Sequence, residues 1–239
     1  MPDMAGMNIT SMNYWYPKIV ELGIPVPKTK ILLEKDIFEW YKYLDEKMPV
    51  DEMNQLLQAA NEIGYPLFMR SDLNSGKHQF KDTCYVPDSM TLFKNLYGLL
   101  EDNAMKDQPM TSIVLREYIE PAWGFKAFKG LPIAPERRYF ISHGEVICHH
   151  AYWVEDAIEF YGERRPPNNW KALLKEMNTE STQEIMQLTS YALKVADAFP
   201  EQELSVDFMK ARDGRWILID MASGQQSWHP PCKVVGTSD

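Results

Sequence analysis

The stretch "ELSVDFMKARDGRWILIDMASGQQSW", residues 203–228, decides the fold. Two alternating apolar runs flank Asp213-Gly214, a dipeptide that tolerates positive φ at both positions and strongly signals a two-residue hairpin turn. In that register, residues equidistant from the turn face each other. Asp207 then opposes Asp220, with Met209 opposite Leu218 on the same side and Phe208 opposite Ile219 on the other. Opposed side chains in such a ladder have Cβ atoms roughly 4.5–5.5 Å apart, and like charges there destabilise it. Mg2+ is the natural compensator, because it is held by one or two carboxylates together with substrate phosphates. A lysine neutralising one aspartate, or a slipped register, would relieve the repulsion equally well. As a glycosidase acid/base pair the two stand too close, and no second acidic cluster marks a sugar cleft.

A magnesium-phosphate site needs cations, and "MRSDLNSGKHQFK", residues 69–81, concentrates them in an otherwise acidic chain. Arg70 ends an apolar run, Ser75 and Gly76 let backbone N–H groups approach an anion, and Lys77 and Lys81 reach phosphate oxygens as point charges. This is no Walker A loop, which requires glycine where Ser71 stands and a hydroxyl residue where His78 stands. Taken alone, the stretch also reads as a solvated polar turn. The aspartate hairpin favours a phosphate cover.

Composition narrows the class. The 239 residues, 45% hydrophobic and 12% aromatic, can bury a substantial core as one large domain or two lobes. A net charge of -9 argues against a general nucleic-acid or acidic-membrane binder. Cys84, Cys148 and Cys232 lack the paired spacings of zinc or redox motifs and read as reduced thiols, which points to the cytoplasm. No apolar run reaches about 18 residues, so no membrane span is expected.

Punctuation by Gly, Pro and apolar period gives the elements. A short helix stops at Gly23 and an extended run reaches Leu33. Another helix starts near an Asp51 cap and ends before Gly64. Strands follow at "PLFMR", "TCYV" and "SIVLREYI", with a helix capped at Asp88 or Ser89 before the last. A second series contains "RRYFISHG", "EVICHHAYW", an amphipathic helix over 182–199 and the hairpin. Without regular βαβ alternation this is an antiparallel-rich α+β architecture. The expected divisions are a short leading segment 1–60, a small lobe 61–119 and a large lobe 120–239.

The order "GIPVPKT", "GYPLFMRSDLNSGK", "IVLREYIEP", "PERRYFISHGEV" and "VDFMKARDGRWILIDMASGQ" resembles an ATP-grasp protein from about Tyr14 to Gln225. It is most similar to the phage and bacterial branch in which arginine, here Arg70, replaces the usual strand lysine. The resemblance implies two α+β lobes with antiparallel sheets enclosing a nucleotide cleft, with ATP and Mg2+ as cofactors. It further implies joining of a carboxylate to an amine through an acyl-phosphate, with release of ADP. Residue by residue, it implies that Arg70 and Lys77 contact phosphates and that the backbone of Glu117, Tyr118 and Ile119 reads adenine. Glu120 would reach the ribose, and Asp207 and Asp220 would hold the metal. Arg138, oriented by Glu136, would steady the transferred phosphoryl group or the substrate carboxylate. One departure stands out: the second acidic position is usually glutamate followed two residues on by asparagine, whereas Asp220 is followed by Ala222.

A two-residue turn at His143-Gly144 would set Arg138 against His149, leaving His150 to packing. Trp123 lies beside the expected adenine segment, and Lys126 and Lys129 form a small basic patch. Two functions follow: a carboxylate-amine ligase for an amino acid, peptide or protein terminus, or a nucleotide-binding module without turnover. A metal phosphoesterase is the weaker third, since it does not require Arg70, Lys77 and Lys81 in one strand-flanked loop.

Overall fold

A computed structural model of the chain describes residues 8–33, 39–161, 166–230 and 233–234. Contacts divide it into two compact units, with breaks after Val26 and Ile119; residues 128–131 group with the central unit of residues 27–119. The expected leading segment 1–60 is therefore shared between both units.

The central unit is built on a sheet of four antiparallel strands in the order β1-β4-β2-β3: β1 (Thr29–Leu33), β2 (Leu67–Ser71), β3 (Tyr85–Val86) and β4 (Ser112–Glu117). Helices α2 (Val50–Ile63) and α3 (Leu92–Met105) supply the apolar cover. Pro49, not Asp51, occupies the α2 N-cap position, and Asp51 instead lies in the first turn, where its charge favours the helix dipole. Thr91 caps α3, while Asp88 accepts from the Met90 and Thr91 backbone N–H groups at 3.0 Å each. Side chains alternate across a strand. Leu67 and Met69 of β2, and Ile113 and Leu115 of β4, therefore enter the helix-covered core. Phe68 and Arg70, and Val114 and Arg116, take the other face.

In the other unit, α1 (Met12–Glu21) buries Met12, Trp15 and Ile19, and Ser11 caps it by accepting from the Asn13 N–H at 3.2 Å. A small hairpin, β5 (Phe125–Ala127) and β6 (Leu131–Ile133), is followed by β7 (Glu136–Ser142) and β8 (Glu145–Ala151). Then come α4 (Glu155–Tyr161), α5 (Trp170–Asn178), α6 (Thr182–Ala198), β9 (Leu204–Lys210), β10 (Trp216–Ser223) and β11 (Lys233–Val234). The five-stranded antiparallel sheet runs β10-β9-β7-β8-β11. Ser181 and Glu184 form a capping box that starts α6, which packs across β7 and β8. Phe208 stacks at a tilt on Tyr191 of α6, and Arg137 reaches the Met177 carbonyl of α5 at 2.9 Å. The helices thus cover the face that carries Arg137, Tyr139 and Phe208.

Both hairpins depart from the expected geometry. Ala211 N–H bonds the Arg215 carbonyl at 2.8 Å and Gly214 N–H the Ala211 carbonyl at 2.9 Å, so the loop has three residues, 212–214, with Gly214 at φ 88°. That is a type I turn closed by a left-handed glycine. It pairs Met209 with Ile217 and Phe208 with Leu218, correcting the expected partners. A bulge at Ile219 then shifts the register, and Asp220 does oppose Asp207. The His143-Gly144 turn has two residues as expected, but a bulge beyond Ile141 pairs Arg138 with His150 and Tyr139 with His149.

Cys84 is buried and free, with burial pushing its pKa to about 12. Cys148 is disulfide-bonded, which corrects the reading of reduced thiols; Cys232 lies outside the described residues. Among the described residues no helix is long and apolar enough to cross a membrane. Truncating Leu115, wholly buried against α2 and α3, to alanine should cost about 2–5 kcal/mol of stability, measurable by denaturant unfolding.

Candidate functional site

The face of the five-stranded sheet turned away from α6 carries an unbroken polar row. Asp220 on β10 opposes Asp207 on β9, Asp207 opposes Arg138 on β7, and Arg138 opposes His150 on β8. Neighbouring strands lie roughly 4.8 Å apart, so these four side chains form a line. The Arg138 fork closes on Asp207 with Nε to Oδ1 and Nη2 to Oδ2 both at 2.8 Å. Both side chains are buried, 11% and 5% exposed. Burial would lower the Arg138 pKa, but the Asp207 carboxylate overrides it and holds the guanidinium above its usual range. Tyr152 lies under the same guanidinium at 4.6 Å. Glu136, also buried, sits two residues earlier on β7 and adds its charge to that field.

Arginine, not lysine or a metal, thus relieves the charge on Asp207 in the structure. Asp220 is half-buried and its Oδ1 accepts from the Met221 N–H at 3.0 Å. Two opposed carboxylates, one already neutralised, fit an Mg2+ ion that draws its remaining ligands from water and phosphate. They do not make an all-protein cage: among the described residues no group of three His, Cys, Asp or Glu could hold a metal. His150 donates Nδ1 to the Ala151 carbonyl at 2.7 Å if that nitrogen carries the proton, and burial followed by the Arg138 charge depresses its pKa. His149 lies on the opposite face, stacked on Tyr139 at 4.8 Å and 3.2 Å from Glu180. It therefore belongs to the packing around Arg137 and not to this row.

The cations of the basic loop lie in the central unit. Arg70 is 2% exposed at the end of β2, with Nε donating to the Ser71 carbonyl at 3.0 Å. Arg116, 3% exposed, occupies the same face one diagonal step away, because it opposes Phe68 while Arg70 opposes Val114. The sequence reading missed Arg116. Its signal was present in "SIVLREYI", where alternation puts it opposite to Leu115 and in phase with Arg70. Two buried guanidiniums on one sheet face make a strong anion-attracting surface.

The loop beyond Arg70 is built, not slack. Asn74 accepts from Gly76 N–H at 3.2 Å, and Thr83 Oγ1 donates to the Gly76 carbonyl at 2.9 Å. Asn103 of α3 receives Ser71 Oγ at 3.3 Å and Asn74 Nδ2 at 3.4 Å. Asp72, another group the sequence reading overlooked, ties the loop to β4 through Thr111 and Ser112. Gly76 holds φ 60°, and Lys77 opens the short 3-10 turn Lys77–Gln79. Lys81 is exposed.

Tyr118 packs its ring edge against Tyr85 at 5.1 Å, which anchors the 117–119 backbone to β3. Glu117 accepts from Lys28 N–H through its side chain at 3.4 Å. Glu120, in the other unit, is engaged by Arg212: the Arg212 N–H meets its carbonyl at 2.8 Å and the guanidinium its carboxylate at 2.5 Å. Trp123 is 45% exposed, with Lys126 over its ring at 5.2 Å.

A family model for an ATP-grasp domain, the third family of its clade, matches residues 55–238. C-terminally truncated Cdc123 from Schizosaccharomyces pombe is similar in structure, with TM-score 0.53 and 20% identity over 90% of this chain and 83% of that one. N5-carboxyaminoimidazole synthase from Aspergillus clavatus, in complex with ADP and 5-aminoimidazole ribonucleotide, has TM-score 0.51 and 16% identity over 90% of this chain and 44% of its own. D-alanyl-alanine synthetase A from Vibrio cholerae O1 biovar eltor has TM-score 0.51 and 11% identity over 91% and 56%. The chain thus spans about half the length of these two synthetases. At such identities the likeness is one of fold. A search of curated proteins finds no match.

Replacing Arg138 by alanine should strand a buried carboxylate opposite a second one and cost about 3–5 kcal/mol in chemical unfolding. Arg138→Ala combined with Asp207→Leu should recover much of that loss.

Proposed function

The chain belongs to the ATP-grasp domain family whose model it matches over 55–238, and on that footing we propose that it is an ATP-dependent carboxylate-amine ligase. The supporting observation is the in-register row Asp220, Asp207 and Arg138 on the sheet face turned away from α6. In the proposed reaction a substrate carboxylate attacks the γ-phosphorus of ATP, ADP leaves, and an amine then displaces phosphate from the acyl-phosphate. The substrates are an amino acid, peptide or protein terminus and a small amine.

Little covalent work falls to the protein in such a transfer, and rate comes from cations placed before charge develops. Arg138 is the group for the transferring phosphoryl, held at its station by Asp207 and by the Glu136 field. Arg70, Lys77 and the Ser75 and Gly76 amides bind the phosphates, and Lys81 is the outer cation of the same loop. Asp207 and Asp220 would hold Mg2+, which when bound neutralises phosphate charge. The 117–119 backbone reads adenine, while Glu120 reaches the ribose by exchanging its Arg212 contact.

A second reading, a nucleotide-binding module without turnover, draws on Ala222 in the place of asparagine and on the small ligand set. Incubation with Mg-ATP and pooled amino acids and peptides separates the two. ADP and phosphate release that rises with added carboxylate and amine supports the ligase; ATP binding without product supports the module; AMP indicates adenylation. Asp220→Asn should abolish Mg-ATP turnover with the fold intact, and unchanged turnover removes it from the metal site. Arg70→Ala should weaken ATP binding by at least about tenfold, since a charged contact contributes on the order of 1.5–3 kcal/mol.

A further inference from the structure

Residues 128–130, at the tip of the β5–β6 hairpin, hold three consecutive positive φ angles: Phe128 at 43°, Lys129 at 54° and Gly130 at 96°. A left-handed phenylalanine is a conformational outlier, and such strain persists only where neighbours over-determine it. Here each residue grips one member of the basic loop. Phe128, 3% exposed, stacks on His78 with ring centres 4.8 Å apart and planes 17° off parallel. Lys129 Nζ lies 3.2 Å from Asp82 Oδ2. A Cβ at residue 130 would stand 2.8 Å from Lys81 Cε, so the bare glycine is what lets the Lys81 stem cross the turn.

We propose that this tip is a positioning clasp that fixes the loop 76–82 in the form that meets the nucleotide phosphates. The inference rests on the nucleotide-binding reading above. It gives Lys129 a different role from a surface charge: its partner, Asp82, belongs to the loop itself. On the other side the loop is pinned through Thr83 to the Gly76 carbonyl. Gripped from both sides, Lys77 and Lys81 project from a braced backbone.

A charge swap separates positioning from simple field strength. Asp82→Lys makes the loop more positive, so a pure electrostatic field would tighten Mg-ATP binding, whereas a broken clasp weakens it. By calorimetric titration of the full chain with Mg-ATP we expect Asp82→Lys to bind roughly threefold to fivefold more weakly. Asp82→Lys combined with Lys129→Asp should return affinity to near that of the unaltered chain, with melting temperature unchanged. Gly130→Ala, which displaces Lys81, should also weaken binding. Affinity equal or greater in Asp82→Lys, or no recovery in the double variant, would overturn the clasp while leaving the ATP-binding reading intact. Absence of Mg-ATP binding to the unaltered chain would overturn both.

Discussion

The two-pronged contact between Arg138 and Asp207 is the constraint around which the large sheet is arranged. Without it, two carboxylates would face each other on adjacent strands, one of them buried, and the hairpin would gain by slipping. With it, one charge is cancelled inside the sheet and Asp220 keeps its acidic character at the next strand. Buried ion pairs add little net stability over a well-packed apolar pair, because desolvation consumes most of the attraction. Their presence here is better explained by the chemistry of the row than by strength of the fold.

Each sheet separates packing from chemistry by strand parity. In the central unit the odd-numbered residues Leu67, Met69, Ile113 and Leu115 meet helices, and the intervening positions display Arg70 and Arg116. In the other unit Tyr139 and Phe208 meet α6 or its neighbourhood, while Arg138 and Asp207 take the opposite side. A one-residue slip in either sheet would exchange the two sets and bury the charges under helices.

Much of this was legible in the residues. Alternation and Asp213-Gly214 located the hairpin, and the order of elements pointed to the fold. Register was the weak link, since a bulge is invisible to a count from the turn. At Ile219 a bulge offset a loop one residue longer than expected, so the aspartates met although their inner neighbours were misassigned. Beyond Ile141 the turn was read correctly and a bulge still moved His149 off the row in favour of His150. Helices α4 and α5 were not foreseen. The grip of Phe128–Gly130 was beyond sequence reading, because it joins residues far apart in the chain and depends on left-handed backbone at a phenylalanine.

The Ile219 bulge carries a final implication for how such a hairpin can drift. A two-residue connection with regular strands and a three-residue connection with one bulge consume the same number of residues between Asp207 and Asp220. Side chains along that interval are replaceable, and even the style of the bend is exchangeable, provided chain length is held. A lone insertion or deletion there would part the acids, whereas a matched pair of them on either side of the bend would pass unnoticed by the chemistry.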